Sequence, residues 1–206
     1  MNPIMGKAQA TAYQMNTFLK RVNPNAPDVA HIYLEEGEIE GVRGDIAFAQ
    51  AIRETNYFRF TGIARPEWHN PAGLGVSGKI VNGEYEGNRF PDWRTGIRAQ
   101  IQHLKAYATT EPLRQICVDQ RFHLVTRGVA PNWEDLNGKW AVPGTTYGQD
   151  IIKIWQEILK VPVAGAGDSG EIDMLRNENA RLKAKISELE AKISVMKNYA
   201  KMIIDV

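Results

Sequence analysis

Glu54 is the leading candidate for chemistry because it is the one glutamate in a largely apolar helical run, residues 45–58, and lies near the end of that run. Asp45 is predicted to cap the start of this helix. Phe48 and Ile52 lie one turn apart on the face that we expect to be core. At about 100° per residue, Glu54 falls roughly 120° from that stripe, at the edge of the buried surface.

A carboxyl group at the edge of a buried surface can act as a general acid. Burial disfavours the ionised form and raises the pKa of the group. A carboxylic acid that is still protonated near neutral pH can donate its proton to a glycosidic oxygen. The alternative is that Glu54 is merely a solvated or capping residue, and spacing alone does not decide between the two.

Three segments follow one another along the chain with distinctive compositions. They read Ala49-Gln-Ala-Ile-Arg-Glu54-Thr-Asn-Tyr-Phe58, Asn70-Pro-Ala-Gly73-Leu-Gly75 and Lys139-Trp140-Ala-Val-Pro-Gly-Thr-Thr-Tyr147. Over roughly residues 5 to 160, this succession resembles the glucosaminidases of glycoside hydrolase family 73, which cut bacterial peptidoglycan. The chain departs from the family pattern at Phe58, where a glycine usually follows the first aromatic residue.

The resemblance implies a role for each segment. Glu54 matches the family's general acid. Asn70 and Gly73 match a turn that borders the substrate groove, and Trp140 and Tyr147 match the segment that closes it. The implied fold is α+β and mainly α, with a lysozyme-like helical lobe and a small β-hairpin lobe. The implied activity is hydrolysis of the β-1,4 bond after N-acetylglucosamine in glycan strands of peptidoglycan.

A predicted hairpin carries the candidates for a second carboxylate. Asn82-Gly83 favours a type I′ turn, in a register that places Glu84 and Glu86 on one face. In some family members an acidic residue in a comparable hairpin assists catalysis, and Glu84 or Glu86 could match it. Two alternatives remain open. Glu86 could simply pair with Lys79 while Glu84 is solvated, and the acetamido oxygen of the substrate could attack instead.

Apolar residues at helical spacing predict four more helices, near residues 15–22, 29–33, 95–108 and 146–158. Thr95 is the expected cap of the third of these. The acidic run from Glu35 to Gly44 is expected to be a solvated connection, although Glu40 or a neighbour is a further candidate for the active site.

The composition excludes several classes of function. A chain of 206 residues with 43% hydrophobic content allows one medium domain and an appendage. A net charge of +1 gives no general attraction to nucleic acid, so we expect no such partner. The single cysteine, Cys117, excludes an intramolecular disulfide, and the four histidines lack the spacing of metal ligands. No cofactor or metal is expected.

The N-terminal segment lacks the basic start and long apolar stretch of a secretory signal, and no segment is apolar enough for membrane insertion. We therefore expect synthesis in the cytoplasm without a signal peptide and action on the bacterial cell wall, as for a phage or prophage endolysin. Two alternatives are a lytic transglycosylase or muramidase of the same fold, and a non-catalytic wall-binding or structural phage protein.

The C-terminal region predicts self-association. Residues 1–160 form the expected catalytic domain, 161–170 read as a flexible linker, and 171–206 keep a 3.5-residue apolar period. The predicted a positions are Ile172, Asn179, Ile186, Ile193 and Ala200, and the d positions are Leu175, Leu182, Leu189, Met196 and Ile203. Isoleucine at a, leucine at d and one buried asparagine favour a coiled coil that is a parallel dimer. A surface helix folded back on the catalytic domain is the alternative.

Overall fold

The computed structural model describes residues 1–163 and, further on, residues 175, 178, 179, 181–183, 185–190, 192, 193 and 196. The chain divides into two compact units, Met1–Val163 and Ala164–Val206. Within the described part of the chain, every helix is too short or too polar to cross a membrane.

The first unit is mainly helical and contains one small antiparallel sheet. Its helices are α1 (Ala12–Val22), α2 (Ala30–Glu40), α3 (Gly44–Thr55), α4 (Trp93–Ala108) and α5 (Tyr147–Leu159). Three short 3-10 helices span Pro66–Trp68, Phe122–Leu124 and Trp133–Leu136, and the strands are β1 (Ile80–Val81) and β2 (Glu84–Tyr85). The prediction of a mainly helical α+β fold with a small hairpin is confirmed.

Helix α3 lies at the centre of this unit and packs against α1, α2, α4 and α5. All of its residues are buried except Arg53 and Glu54, which lie in its last turn. A glycine begins the helix because a Cβ atom at Gly44 would lie 2.0 Å from the Tyr33 carbonyl oxygen of α2. This close approach lets two helices share one apolar interior.

Two predicted helix caps are wrong, because each helix begins before the residue that was expected to cap it. Helix α3 begins at Gly44, so Asp45 lies inside its first turn, where the buried carboxylate accepts hydrogen bonds from distant donors. Helix α4 begins at Trp93, two residues before Thr95. Its cap is Asp92, whose carboxylate accepts a hydrogen bond from the Thr95 amide at 2.7 Å.

The acidic run is not a solvated connection, because α2 continues through it to Glu40. Glu40 is fully buried and pairs with the equally buried Lys105 at 2.9 Å. Its carboxylate also accepts hydrogen bonds from the amides of Arg114 and Gln115. Glu40 therefore ties α2 to α4 and to the segment after α4.

The hairpin has the predicted register. Ile80 pairs with Tyr85 and Val81 pairs with Glu84, and the turn residues Asn82 and Gly83 have φ angles of 53° and 83°. Positive φ at both positions is the signature of a type I′ turn. All four strand residues are exposed, so the hairpin contributes little to the core.

Consecutive residues with left-handed backbone follow α3. Asn56, Tyr57 and Phe58 have φ angles of 50°, 59° and 57°. The Thr55 hydroxyl accepts a hydrogen bond from the Phe58 amide at 2.7 Å and donates one to the Ala51 carbonyl at 2.6 Å. These two hydrogen bonds hold the turn that follows Glu54.

In the C-terminal unit, the described residues are helical. The apolar side chains at the predicted core positions within this set are exposed in the single chain, namely Leu175, Leu182, Ile186, Leu189, Ile193 and Met196. The predicted linker from residue 164 onwards and the core positions Ile172, Ala200 and Ile203 lie outside the described residues.

We predict that Asn56→Ala destabilises the protein relative to Asn56→Gly, by about 1–2 kcal/mol, because alanine resists the left-handed conformation at this helix end. Chemical denaturation of both variants measures the difference in the free energy of unfolding. The same pair of substitutions at Asn25, which is exposed and lacks a positive φ, should not favour glycine. Equal stability of the two Asn56 variants would contradict the prediction.

Candidate active site

A cavity of about 320 Å³ lies at the C-terminal end of α3. Its walls come from the end of that helix, the segment after it, the turn at residues 70–76 and the segment before α5. The lining residues are Glu54, Thr55, Phe60, Gly62, Ile63, Ala64, Asn70, Ala72, Gly73, Val76, Trp140 and Ala141. A concave surface that carries a few polar side chains, here Glu54, Thr55 and Asn70, is typical of a ligand site.

The Glu54 carboxylate lies on the wall of this cavity, with 23% of its side chain exposed. Its Oε1 accepts a hydrogen bond from the Tyr147 hydroxyl at 2.5 Å and lies 3.9 Å from the Arg53 guanidinium. Burial raises the pKa of Glu54, and the hydrogen bond from Tyr147 and the charge of Arg53 oppose that effect without cancelling it. Glu54 therefore keeps its proton to higher pH than an ordinary glutamate, as a general acid requires.

Tyr147 lies beside the carboxylate and not on the cavity surface. The sequence suggested that Tyr147 helps to close the groove; in the structure it is fully buried as the first residue of α5 and is absent from the cavity lining. Burial and the neighbouring Glu54 charge hold the pKa of Tyr147 well above its usual range. The hydroxyl thus stays neutral and donates a hydrogen bond to Glu54.

Asn70 and Gly73 both line the cavity, but they do different things. The Asn70 amide is used within the protein, because Oδ1 accepts from the Leu74 amide at 2.9 Å and Nδ2 donates to the carbonyls of Leu74 and Asn88. Asn70 therefore shapes the turn. A Cβ atom at Gly73 would meet no atom within 4 Å, and its φ is +63°. Gly73 leaves open space at the cavity wall.

Trp140 is a partly buried aromatic residue in the cavity lining. Its ring is held by edge contacts with His103, at a centroid distance of 5.1 Å, and by Tyr107 at 5.9 Å. His103 is fixed in turn by Asp119, whose carboxylate lies 2.7 Å from the imidazole. A braced aromatic face of this kind can stack on a sugar ring.

The structure does not bring Glu84 or Glu86 to the cavity. Both side chains are exposed on the hairpin and neither is among the lining residues. Glu84 pairs with Arg89, and Glu86 accepts a hydrogen bond from the Ser77 hydroxyl. The expected pairing of Glu86 with Lys79 is limited to the backbone, where the Glu86 amide donates to the Lys79 carbonyl at 2.8 Å.

Gln50, the residue that supports Tyr147, was not among the predicted site residues. Gln50 is fully buried, and its Nε2 donates a hydrogen bond to the Tyr147 hydroxyl oxygen at 2.8 Å. The available signal was a polar side chain in the middle of a helix whose neighbours are apolar. A residue of that kind needs a buried partner.

The described residues contain no group of three or more His, Cys, Asp or Glu side chains placed to hold a metal ion. Among the lining residues that the structure describes, Glu54 is the only ionisable side chain. The arrangement supports proton transfer by one carboxyl group.

A family model described as Glucosaminidase, mannosyl-glycoprotein endo-beta-N-acetylglucosaminidase, matches residues 30–160 of the chain. The chain is also 43% identical over 132 residues to an uncharacterized protein of Borreliella burgdorferi. That alignment covers 64% of the chain and 62% of the relative, so the chain spans less than two thirds of the relative's length. No solved structure matches the chain.

We predict that Tyr147→Phe raises the pKa of Glu54 further, because it removes a hydrogen bond that stabilises the ionised carboxylate. Titration of carbon-13-labelled glutamate carboxyl groups by NMR measures the change, with the Glu54 signal assigned from its loss in Glu54→Gln. Tyr13→Phe, on α1 and outside the cavity lining, is the control. An unmoved Glu54 titration in Tyr147→Phe would contradict the prediction.

Proposed function

The chain belongs to the glucosaminidase family, glycoside hydrolase family 73, and from that premise we propose that it is a peptidoglycan hydrolase that cleaves the β-1,4 bond after N-acetylglucosamine. The observation that carries the proposal is the position of Glu54, a carboxyl group with a raised pKa on the wall of a cavity. The proposed partner is the glycan strand of the bacterial cell wall, which is also the proposed site of action.

Glu54 acts in the first step as the general acid. Its proton passes to the glycosidic oxygen while the bond from that oxygen to the anomeric carbon breaks, and positive charge develops on the sugar ring. Trp140 offers the ring an aromatic face, and Gly73 leaves room for the sugar beside the carboxyl group. After the step Glu54 is ionised, and the hydrogen bond from Tyr147 stabilises that form.

The second step uses the substrate's own acetamido group. Its carbonyl oxygen attacks the anomeric carbon and closes a second ring beside the sugar ring. Water then attacks the anomeric carbon and opens this second ring, while Glu54 takes a proton from that water. The support for this route is that neither Glu84 nor Glu86 lies in the cavity lining. Attack by the neighbouring acetamido oxygen followed by water gives a product with retained configuration.

We predict that Glu54→Gln lowers the release of reducing ends from purified peptidoglycan by about 100- to 10,000-fold, because glutamine cannot donate the proton. Borohydride reduction followed by mass spectrometry identifies the sugar at each new end, and the wild type should give reduced N-acetylglucosamine. Glu111→Gln, an exposed glutamate outside the cavity lining, is the matched control and should keep full activity.

The same assay separates the alternatives. Reduced or anhydro-muramic acid ends would place the protein with the muramidases or lytic transglycosylases, and no ends from either protein would indicate a non-catalytic wall-binding protein. Glu84→Gln and Glu86→Gln should each stay within a few-fold of wild type if the acetamido group acts. A loss comparable to that of Glu54→Gln would assign a hairpin carboxylate to the reaction.

The proposed oligomer is a parallel dimer joined by the C-terminal coiled coil. Its support is the heptad pattern together with the exposure, in the single chain, of apolar side chains such as Leu182, Ile186 and Leu189. A coiled coil would bury these side chains between two helices. Two catalytic units joined in this way raise each other's effective concentration on one polymer network.

We predict that deleting residues 171–206 lowers activity on whole cell walls by up to about 100-fold but leaves cleavage of small soluble fragments unchanged. Light scattering should give twice the chain mass of 23.1 kDa for the full chain and a single mass for the truncated one. The double variant Leu182→Asp, Leu189→Asp in the full chain should behave like the deletion. Equal loss on both substrates would contradict the avidity explanation.

A further inference from the structure

We infer that Gln50 and Gln100 are positioning residues that decide which oxygen of Glu54 carries the acid proton. Together with Tyr33 and Tyr147 they form a buried hydrogen-bond chain that ends on that carboxyl group. This hydrogen-bond chain has one donor direction, set by the backbone carbonyl of Ala47, which is outside the cavity lining. This inference rests on the proposed function in one respect, namely that the proton on Glu54 is the one transferred to the glycosidic oxygen.

The direction of the chain is fixed at its far end. One hydrogen of Gln100 Nε2 is donated to the Ala47 carbonyl at 2.9 Å. A backbone carbonyl can only accept, so the nitrogen and not the oxygen of the Gln100 amide must face it. The Gln100 Oε1 atom then points to Tyr33, whose hydroxyl donates to it at 2.7 Å.

The remaining links follow from that anchor. The second hydrogen of Gln100 Nε2 goes to Gln50 Oε1 at 2.8 Å, which leaves Gln50 Nε2 to donate to the Tyr147 oxygen at 2.8 Å. Because Gln50 Nε2 can donate but cannot accept, the hydroxyl of Tyr147 cannot donate to Gln50, and its single proton is directed to Glu54 Oε1. All the amide and hydroxyl groups in the chain are buried, so water does not compete for them.

The consequence is a division of roles between the two carboxyl oxygens of Glu54. Oε1 is an acceptor of the Tyr147 proton and is also the oxygen nearest the Arg53 guanidinium. Within the described part of the chain, no group donates a hydrogen bond to Oε2. The acid proton therefore resides on Oε2, where it is available to a glycosidic oxygen. If the hydrogen bonds could reverse their direction, neutral Glu54 could instead donate a hydrogen bond to Tyr147, and its proton would then point away from the substrate.

Gln50→Met tests this inference because it removes one link and keeps the length of the side chain. The Tyr147 hydroxyl then loses the amide that polarises it, and its oxygen becomes free to accept a hydrogen bond from neutral Glu54. Both effects favour the protonated carboxyl group. We expect the alkaline limb of the pH profile of kcat/KM on peptidoglycan, and the NMR titration of Glu54, to move to higher pH.

Gln102→Met is the matched control. Gln102 lies on the same helix as Gln100 and is equally buried, but it bonds to the backbone of residues 116–119 and not to the chain. It should lower the melting temperature without moving the Glu54 titration. Equal shifts in both variants, or no shift in Gln50→Met, would overturn the inference.

Two measurements keep the test independent of folding and of the proposed activity. In the wild type, the Tyr147 hydroxyl proton should exchange slowly and show a nuclear Overhauser effect to the Gln50 side-chain amide, and absence of that contact would overturn the inference even if Gln50→Met does not fold. The NMR titration of Glu54 needs no substrate. If the wild type releases no reducing ends but Gln50→Met shifts the Glu54 titration, the proposed function is refuted and the hydrogen-bond chain is supported.

Discussion

The interior position of α3 is the constraint on which the rest of the structure depends. A helix buried on nearly every face cannot leave a polar side chain unpaired, since such a group costs about 1–3 kcal/mol. Its buried polar residues each reach a different neighbour. Asp45 accepts from the N-terminal segment and from Trp155 of α5, Gln50 joins α4 to α5, and Thr55 holds the turn that follows. Satisfying these groups also fixes where Tyr147 meets Glu54.

The strained turn after α3 links this buried helix to the cavity wall. Left-handed backbone costs roughly 1–2 kcal/mol at each residue with a Cβ atom, and Phe58 is one of three consecutive residues after α3 that adopt it. Burial offsets this cost, because the Phe58 ring packs against Phe48 and Trp93 at centroid distances of 6.0 and 5.9 Å. The turn then delivers Phe60 and the following residues to the cavity.

Features determined by local sequence were predictable, and features determined by distant partners were not. Helical spacing predicted α1, α3, α4, α5 and the start of α2, and Asn82-Gly83 predicted the hairpin register, because these depend on neighbours along the chain. The role of Asp45 was wrong because its donors come from residues 9, 10 and 155. The burial of Glu40 was missed because its partner, Lys105, lies on another helix. For the candidate site, motifs located Glu54, but no local pattern could place Tyr147 beneath it.

The proposed mechanism asks one residue to serve both halves of a hydrolysis, and the two environments of the Glu54 carboxyl group fit that demand. An acid must hold its proton before the reaction and must tolerate negative charge after it. Burial favours the first state, and the hydrogen bond from Tyr147 favours the second. If both effects acted on the same oxygen, the donor would block the proton that has to be transferred. In the proposed mechanism, the buried hydrogen-bond chain commits the Tyr147 hydroxyl to Oε1 and leaves Oε2 free for proton transfer, so that the packing of α3 against α4 and α5 takes part in the chemistry.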